Sequence, residues 1–392
     1  MTIASQRKRQ RAGLFLVSAA ALVTLAMVTF HAGAHFRAAA LLLRIQNSEN
    51  PGKPARVSAD SVEETSTQVP TPTGPIRARL YIPKDRPRAP GIVIVHGVHH
   101  LGIDEPRLVA FARAISSSGI QVLTPELPSL TDYRVDPASI DLIGYSAHTL
   151  SASLGRQVGV LGLSFAGGLA LISAADPRFE PDIGFVVSIG AHDDLERVSK
   201  FLVTNRIQRP DGTILEMPAH EYGALVLIYS HVEDFFPAAD VSTALETLRL
   251  LLWERVDESR KRAEQLSPNS RQKMELLFGH HVEQLASELE SSIARHRTEM
   301  PPVSPHGHVA SLQVPALLLH GAADNIIPPS ELLWLQQDVP ARVLRSALVS
   351  PAISHVDMSA KPTFTDTLRL VHFMAQILEL ADAEEPIDRR QR

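Results

Sequence analysis

The chain has 392 residues, of which 44% are hydrophobic, 21% charged and 5% aromatic, a composition typical of folded soluble proteins that excludes a disordered chain and a multi-span membrane protein. A formal net charge of -5 provides no overall positive field to attract nucleic acid, so no nucleic-acid partner is expected. The absence of cysteine excludes disulfides, thiolate metal sites and a cysteine nucleophile.

The N-terminal segment predicts a membrane anchor. Basic residues are concentrated in residues 7–11, ahead of an uncharged apolar stretch over residues 12–30. This stretch is near the roughly 20 residues needed to cross a bilayer, and the basic flank should stay in the cytoplasm. We therefore expect residues 1–45 to anchor the chain in a lipid bilayer, with the rest outside the cytoplasm. The alternative is a cleaved signal peptide with an Ala-Gly-Ala processing site at residues 32–34, which would leave a secreted or periplasmic protein.

The remaining chain divides by composition into a core, an insertion and two flanking segments. Residues 46–75 are rich in Pro, Ser, Thr and Glu and predict a linker that ends in a first edge strand. One discontinuous core is predicted over residues 76–192 and 313–382. It is interrupted by an insertion at residues 193–312 and followed by a polar tail at residues 383–392.

In the predicted core, strands alternate with helices. Apolar runs predict strands at residues 76–82, 91–95, 120–123, 158–163, 183–189, 316–319 and 343–349. Helical apolar spacing predicts helices at residues 108–115, 140–154 and 169–175. The run GIVIV at residues 91–95 is typical of a strand covered on both faces. This order predicts an α/β fold, with a mostly parallel central sheet and helices on both faces.

The insertion at residues 193–312 is predicted to be all helical. Two apolar helix faces are formed by Val241, Leu245, Leu248 and Leu252, and by Met274, Phe278, Val282, Leu285 and Leu289. So much apolar surface cannot stay solvated, and we expect the insertion to pack over the sheet edge as a cap. The alternatives are a helical subdomain with no special role, or one that contacts a membrane or a partner.

The sequence GLSFAGG lies between a predicted strand and a predicted helix. A nucleophile elbow places a serine on a sharp, strained turn, so the residues two before and two after it must be small. Gly162 and Ala166 meet this requirement around Ser164, and Gly167 keeps the following turn close to the sheet. The alternative is a buried serine in a glycine-rich turn.

A second motif, HGVHH at residues 96–100, follows the strand at residues 91–95. A loop that begins with His96 and Gly97 at this position can direct a peptide N–H toward a substrate carbonyl. We assign the backbone N–H groups of Val98 and Phe165 as an oxyanion hole. The two histidines that end the motif either line the site or are exposed in the loop.

Two later residues provide an acid and a base. Asp324 lies beyond the predicted strand at residues 316–319, where it can accept a hydrogen bond from an imidazole. His355 lies in the loop between the last predicted strand and the C-terminal helix, which gives the order Ser, Asp, His. The alternatives are a turn-capping aspartate and an exposed histidine, and Asp193 and Asp194 are rival positions for the acid.

Together these motifs resemble the α/β-hydrolase family over residues 60–382, interrupted by the insertion. The resemblance implies a triad with Ser164 as nucleophile, His355 as general base and then acid, and Asp324 as the residue that orients the histidine. The insertion lies where members of that family often carry a lid. Ala166 departs from the strict G-x-S-x-G form.

The expected function is that of a serine hydrolase that cleaves small-molecule carboxylic esters through an acyl-enzyme. No phosphate loop or dinucleotide fingerprint occurs in the sequence, and the chemistry needs no cofactor. No metal site is predicted, because adjacent histidines at residues 280–281 should diverge on a helix and no carboxylate lies at ligand spacing from His306 or His308. The alternatives are a serine peptidase of the same fold and a catalytically inactive binding module.

Overall fold

A computed structural model describes residues 31–47, 52–53, 55, 58–84, 86, 88–353 and 363–383. Three predicted features lie outside the described residues: the membrane segment at residues 12–30, the candidate base His355, and residues 384–392 of the polar tail. Within the described ranges, no helix is both long enough and apolar enough to cross a membrane.

The strands form one large sheet and one small hairpin. In chain order they are β1 (Val62–Val69), β2 (Ile76–Pro83), β3 (Gly91–Val95), β4 (Gln121–Pro125), β5 (Val158–Leu163), β6 (Ile183–Ile189), β7 (Arg206–Gln208), β8 (Ile214–Glu216), β9 (Ala316–Gly321) and β10 (Leu344–Ser350). The eight-stranded sheet has the order β1-β2-β4-β3-β5-β6-β9-β10. β2 is antiparallel to both β1 and β4, and the other pairs are parallel. The predicted mostly parallel sheet is therefore confirmed.

Helices flank this sheet and fill the segment between β6 and β9. They are α1 (31–46), α2 (Pro106–Ser116), α3 (Pro128–Thr131), α4 (Ala138–Leu154), α5 (Phe165–Ala175), α6 (Leu195–Thr204), α7 (Glu221–Ser230), α8 (Val241–Leu252), α9 (Val256–Ala263), α10 (Pro268–Phe278), α11 (Ala286–Arg295), α12 (Ser330–Asp338) and α13 (Phe364–Ala383). Short 3-10 turns lie at Gly102–Asp104, Val232–Asp234, Val282–Leu285, Arg297–Glu299, Pro301–Val303 and Val309–Ser311.

Strand β3 shows how the sheet is covered. Ile92 and Ile94 belong to an apolar cluster with α1, α2 and α13, whereas Val93 and Val95 belong to a cluster with α4, α5 and α12. Successive side chains of a strand point to opposite faces, so these two clusters are the two sides of the sheet. The continuous apolar run in β3 is explained by burial on both faces.

The end of the predicted anchor is a helix of the folded body. In α1, Leu41 is fully buried, and the side chains of His31 and Arg37 contact α13. Nδ1 of His31 lies 2.7 Å from Oε1 of Glu379, and Nη1 of Arg37 donates to Oδ2 of Asp382 at 2.6 Å. The described part of residues 1–45 is therefore packed against the C-terminal helix.

The predicted linker contains a complete strand. β1 pairs with β2 along its whole length, from Val62 opposite Pro83 to Val69 opposite Ile76. Its sequence VEETSTQV is polar because most of its side chains are exposed at the sheet edge. The predicted first edge strand is therefore present, and only its bounds were not predicted, because a polar edge strand has the composition of a linker.

The segment between β6 and β9 is mainly helical and has its own apolar core. Residues from both predicted helix faces are buried there, with Leu248 and Met274 fully buried. The prediction of an all-helical insertion was wrong at β7 and β8, which form an antiparallel hairpin. The hairpin follows α6, whose C-terminus is capped by Asn205 with a φ of 58°. Each strand has only three residues, too few for a periodic signal.

The second predicted helix face is broken. α10 ends at Phe278, Gly279 follows, and His280 adopts a φ of 60° before the chain continues in a 3-10 turn and α11. Gly279 itself has a φ of -88°, so the turn away from the helix is made at His280, in the left-handed conformation that often follows a helix end. The apolar spacing continues across this break, which explains why the sequence predicted a single face.

Candidate active site

Ser164 occupies a strained turn at the carboxyl end of β5. Its backbone has φ 56° and ψ -134°, a conformation that a non-glycine residue adopts only at an energetic cost. The turn is held by two backbone hydrogen bonds of 2.8 Å, from N of Ser164 to O of Ile189 and from N of Gly167 to O of Ser164. A Cβ atom on Gly162 would lie 2.3 Å from the carbonyl oxygen of Ala166. The strand, turn and helix thus pack as tightly as a nucleophile elbow requires.

The loop after β3 lies directly against this turn. A Cβ atom on Gly97 would be 3.3 Å from Cβ of Ser164. His96 is buried and fixes the loop: its Nε2 accepts a hydrogen bond from N of Leu127 at 3.0 Å, and its Nδ1 donates to O of Gly97 at 2.7 Å. Burial lowers the pKa of His96, which is consistent with this neutral form. His96 therefore supports the loop that carries Val98.

Val98 and Phe165 approach Ser164 from two elements. Val98 belongs to the loop after β3, and Phe165 is the first residue of α5. Both line the same cavity as Ser164. The unpaired N–H groups at the start of a helix favour negative charge, so the Phe165 end of α5 suits an oxyanion.

The sequence gives no signal for Tyr222, which reaches this loop from α7. Its hydroxyl donates a hydrogen bond to the carbonyl oxygen of Val98 at 3.2 Å. Burial raises the pKa of Tyr222, so the phenol keeps its proton and remains a donor. Nearby, the Tyr133 hydroxyl donates to O of Leu252 at 3.1 Å and lies 3.2 Å from Nδ1 of His100. Two tyrosines thus connect the inserted segment to the loops beside Ser164.

Asp324 lies in the turn after β9 and is fully buried. Its Oδ1 accepts hydrogen bonds of 3.0 Å from the backbone N–H groups of Ile326 and Ile327. Its Oδ2 lies 3.4 Å from Nε2 of His320. Because β5, β6 and β9 are parallel neighbours, Ser164 and Asp324 follow strand ends at the same edge of the sheet.

The rival acids Asp193 and Asp194 make other contacts. Asp194 caps α6 by accepting a hydrogen bond of 3.0 Å from N of Arg197, and Oδ2 of Asp193 accepts from Nη2 of Arg197 at 2.8 Å. The backbone N–H groups of both aspartates donate to Oε2 of the buried Glu331, at 2.9 and 3.1 Å. Burial raises the pKa of Asp193 to about 7. Sequence reasoning does not predict this network, because Glu331 lies 134 positions from Arg197 in the chain.

A cavity of about 1740 Å³ lies over Ser164. Its wall is mainly apolar and is shared between the core and the inserted segment, which contributes Tyr222, Leu251 and Trp253. His99 and His100 also line it, and the His100 ring stacks on His99 and on Trp253, with centroids 4.6 and 5.1 Å away. Burial lowers the pKa of both histidines. Of the predicted triad, Ser164 and Asp324 are described, and His355 lies outside the described residues.

The strand order and the turn at Ser164 define an α/β-hydrolase fold. No protein-family model matches the chain, and no curated protein matches it. Among solved structures, the chain is similar to an esterase from Pyrobaculum calidifontis, with 17% identity over 88% of this chain and 90% of that chain and a TM-score of 0.48.

Two other solved structures match at comparable levels. A putative dienelactone hydrolase from Klebsiella pneumoniae has 14% identity over 83% of this chain and all 100% of that chain, with a TM-score of 0.43. A puromycin-hydrolyzing peptidase from Mycobacterium tuberculosis has 14% identity over 80% of this chain and 39% of that chain, with a TM-score of 0.45.

Proposed function

We propose that the protein is a serine hydrolase that cleaves carboxylic esters through an acyl-enzyme on Ser164. The observation that carries this proposal is the strained backbone of Ser164 between β5 and α5. Strain of this kind persists where the surrounding structure holds it in place, and it is concentrated at functional sites. The adjoining loop and the apolar cavity supply a place for an acyl group beside the hydroxyl.

In the proposed mechanism, His355 takes the proton of the Ser164 hydroxyl as Oγ attacks the ester carbonyl carbon. The N–H groups of Val98 and Phe165 hold the oxygen that becomes negative, and each such donor contributes roughly 3 kcal/mol. His355 then gives its proton to the departing alcohol. A water molecule that His355 activates in the same way releases the acid and restores Ser164.

Asp324 is the proposed orienting acid of this triad. Its Oδ1 accepts hydrogen bonds from two backbone N–H groups, which fix the plane of the carboxylate at the edge of the sheet where β5 ends. Asp193 is the weaker candidate because its carboxylate already forms an ion pair with the guanidinium of Arg197. An acid in this position keeps the imidazole in the tautomer that can accept the serine proton.

Tyr222 is a positioning residue in this account, and its effect can be measured. Tyr222→Phe removes the donor to the Val98 carbonyl. One hydrogen bond contributes about 1 kcal/mol, so we expect kcat for an ester to fall about fivefold with KM little changed. Steady-state kinetics checks this, with Tyr229→Phe as control because that hydroxyl donates to Asp132 at 2.6 Å. Equal kcat values in Tyr222→Phe and wild type contradict the role.

We also propose that the inserted segment acts as a cap and that residues 12–30 anchor the protein in a bilayer, with the hydrolase body outside the cytoplasm. The anchor is supported by the basic flank, the length of the apolar stretch and the position of α1 immediately after it. Cleavage after Ala34 is less favoured, since it would remove the His31 contact with Glu379.

Small-molecule esters are the proposed substrates, and no cofactor is required.

A substrate panel tests the proposed activity. Wild-type protein is assayed with p-nitrophenyl esters from acetate to laurate and with aminoacyl p-nitroanilides. We expect ester turnover, with longer acyl chains preferred over acetate because the cavity wall is mainly apolar. Preferential cleavage of the anilides supports the peptidase alternative. Ligand binding without turnover of either series supports the inactive binding module.

A further inference from the structure

A second group of side chains lies away from Ser164, where three parts of the chain meet. Asp193 follows β6, His306 precedes β9, and Asp338 is the last residue of α12. One possible ligand atom from each lies within 4.8 Å of those of the other two. The backbone N–H of His306 also donates to the carbonyl oxygen of Asp193 at 3.0 Å, which fixes the two segments relative to each other.

Asp193 has a buried oxygen without a partner among the described residues. The residue is fully buried, and although its Oδ2 is bound by Arg197, its Oδ1 accepts no hydrogen bond from the part of the chain that the structure describes. A buried carboxylate oxygen without a donor is destabilising unless a cation or a donor meets it. The unpaired Oδ1 atom therefore indicates a ligand at this position, and it does so independently of the clustering of the three side chains.

The charge around this group favours a cation. The carboxylates of Asp193 and Glu331 both contact the guanidinium of Arg197. Nearby, the Asp194 carboxylate accepts a hydrogen bond from the backbone N–H of Arg197, and the Asp338 carboxylate is paired with His306. Arg197 is shared between Asp193 and Glu331, so it neutralises only part of this negative charge. A divalent ion would balance the remainder.

We propose that Asp193, His306 and Asp338 bind a divalent transition-metal ion, for which Zn²⁺ is the best match. Two carboxylate oxygens and one imidazole nitrogen are ligands that Zn²⁺ accepts at about 2.0 to 2.2 Å, with water completing the shell. Nδ1 of His306 now lies 2.6 Å from Oδ2 of Asp338, and a small separation of the two would admit the ion. The ion would stabilise the contact of the end of the inserted segment with the residues that follow β6 and with the end of α12.

Another group of the described residues, His231, Glu233 and His296, also brings possible ligands within 4.8 Å. Its two imidazole rings stack at 3.6 Å with planes only 16° apart, so their lone pairs cannot both point at one ion. The nitrogens of His296 are moreover occupied by Asp234 and Glu299. This second group therefore has the poorer geometry.

A metal titration tests the proposal without reference to catalysis. Protein treated with a chelator and dialysed is titrated with Zn²⁺ in competition with a chromophoric chelator, and its thermal midpoint is recorded with and without Zn²⁺. His306→Ala removes one ligand, and Asp338→Asn replaces a carboxylate by a neutral, weaker amide oxygen; both positions are exposed or partly exposed. His308→Ala is the matched control, because the side chain of this neighbouring histidine hydrogen-bonds to the Pro301 carbonyl, at 3.2 Å, and is not part of the proposed ligand set.

We expect wild type and His308→Ala to bind Zn²⁺ saturably and to melt at higher temperature with it. In His306→Ala and Asp338→Asn the affinity should fall by at least about tenfold and the thermal shift should disappear. Circular dichroism of the metal-free variants verifies that each is folded. Absence of saturable binding in wild type overturns the proposal, as does binding retained in His306→Ala but lost in His231→Ala.

Discussion

Ser164→Ala is expected to lower kcat for p-nitrophenyl esters by about 10³-fold or more, because the acyl-enzyme cannot form without the hydroxyl. Initial rates of wild type and variant under identical conditions provide the measurement. The side chain is small and the strained backbone is held by its own hydrogen bonds, so the fold should persist.

Ser199→Ala is a matched control for this loss. Ser199 also lines the cavity and is buried, but its hydroxyl donates to the Leu195 carbonyl within α6 at 2.8 Å. Its removal should leave kcat within a few-fold of wild type. Activity that survives in Ser164→Ala, or that is lost equally in Ser199→Ala, contradicts the assignment of the nucleophile.

Gly162→Ala should have the next largest effect. The added Cβ would lie 2.3 Å from O and 2.6 Å from C of Ala166, and 2.7 Å from Cα of Gly167, and all of these atoms belong to the backbone. They cannot move unless α5 shifts away from β5, and such a shift displaces Ser164. Overpacking of this kind costs about 1–3 kcal/mol, and a displacement of about 1 Å at a catalytic atom can cost about 10²-fold in rate.

The measurement is kcat together with the thermal midpoint of Gly162→Ala. We expect kcat to fall about 10²-fold and the midpoint to fall by several degrees. Gly33→Ala in α1 is the control, since among the described residues no atom outside its own helix backbone lies within 4 Å of the added Cβ, and alanine favours a helix. A Gly162→Ala variant with wild-type kcat and midpoint would show that the turn is not constrained as described.

The parts of the fold that could be predicted are those with strong local signals. Strands β5 and β6 begin and end at the predicted residues, because each is a short apolar run bounded by turn residues. The strained turn at Ser164 was predictable because small residues at fixed offsets are a steric requirement of such a turn.

The missed features lack a local signal. The bounds of β1 were missed because this strand is polar at the sheet edge. The break after Phe278 was missed because the left-handed residue His280 lies within continuous apolar spacing. Contacts such as Tyr222 with Val98, or Glu331 with Arg197, join residues more than 120 positions apart. No spacing rule finds such pairs, because the tertiary fold alone brings them together.

The most direct test of the central claim is to identify the residue that a serine-reactive phosphonate modifies. The wild-type protein is incubated with a fluorophosphonate, digested and analysed by mass spectrometry, with Ser164→Ala treated in parallel. We predict a single adduct on the peptide that contains Ser164, and a loss of ester hydrolysis in proportion to the labelling. We predict no adduct in Ser164→Ala. An adduct on another serine, or full labelling of Ser164→Ala, would contradict the account.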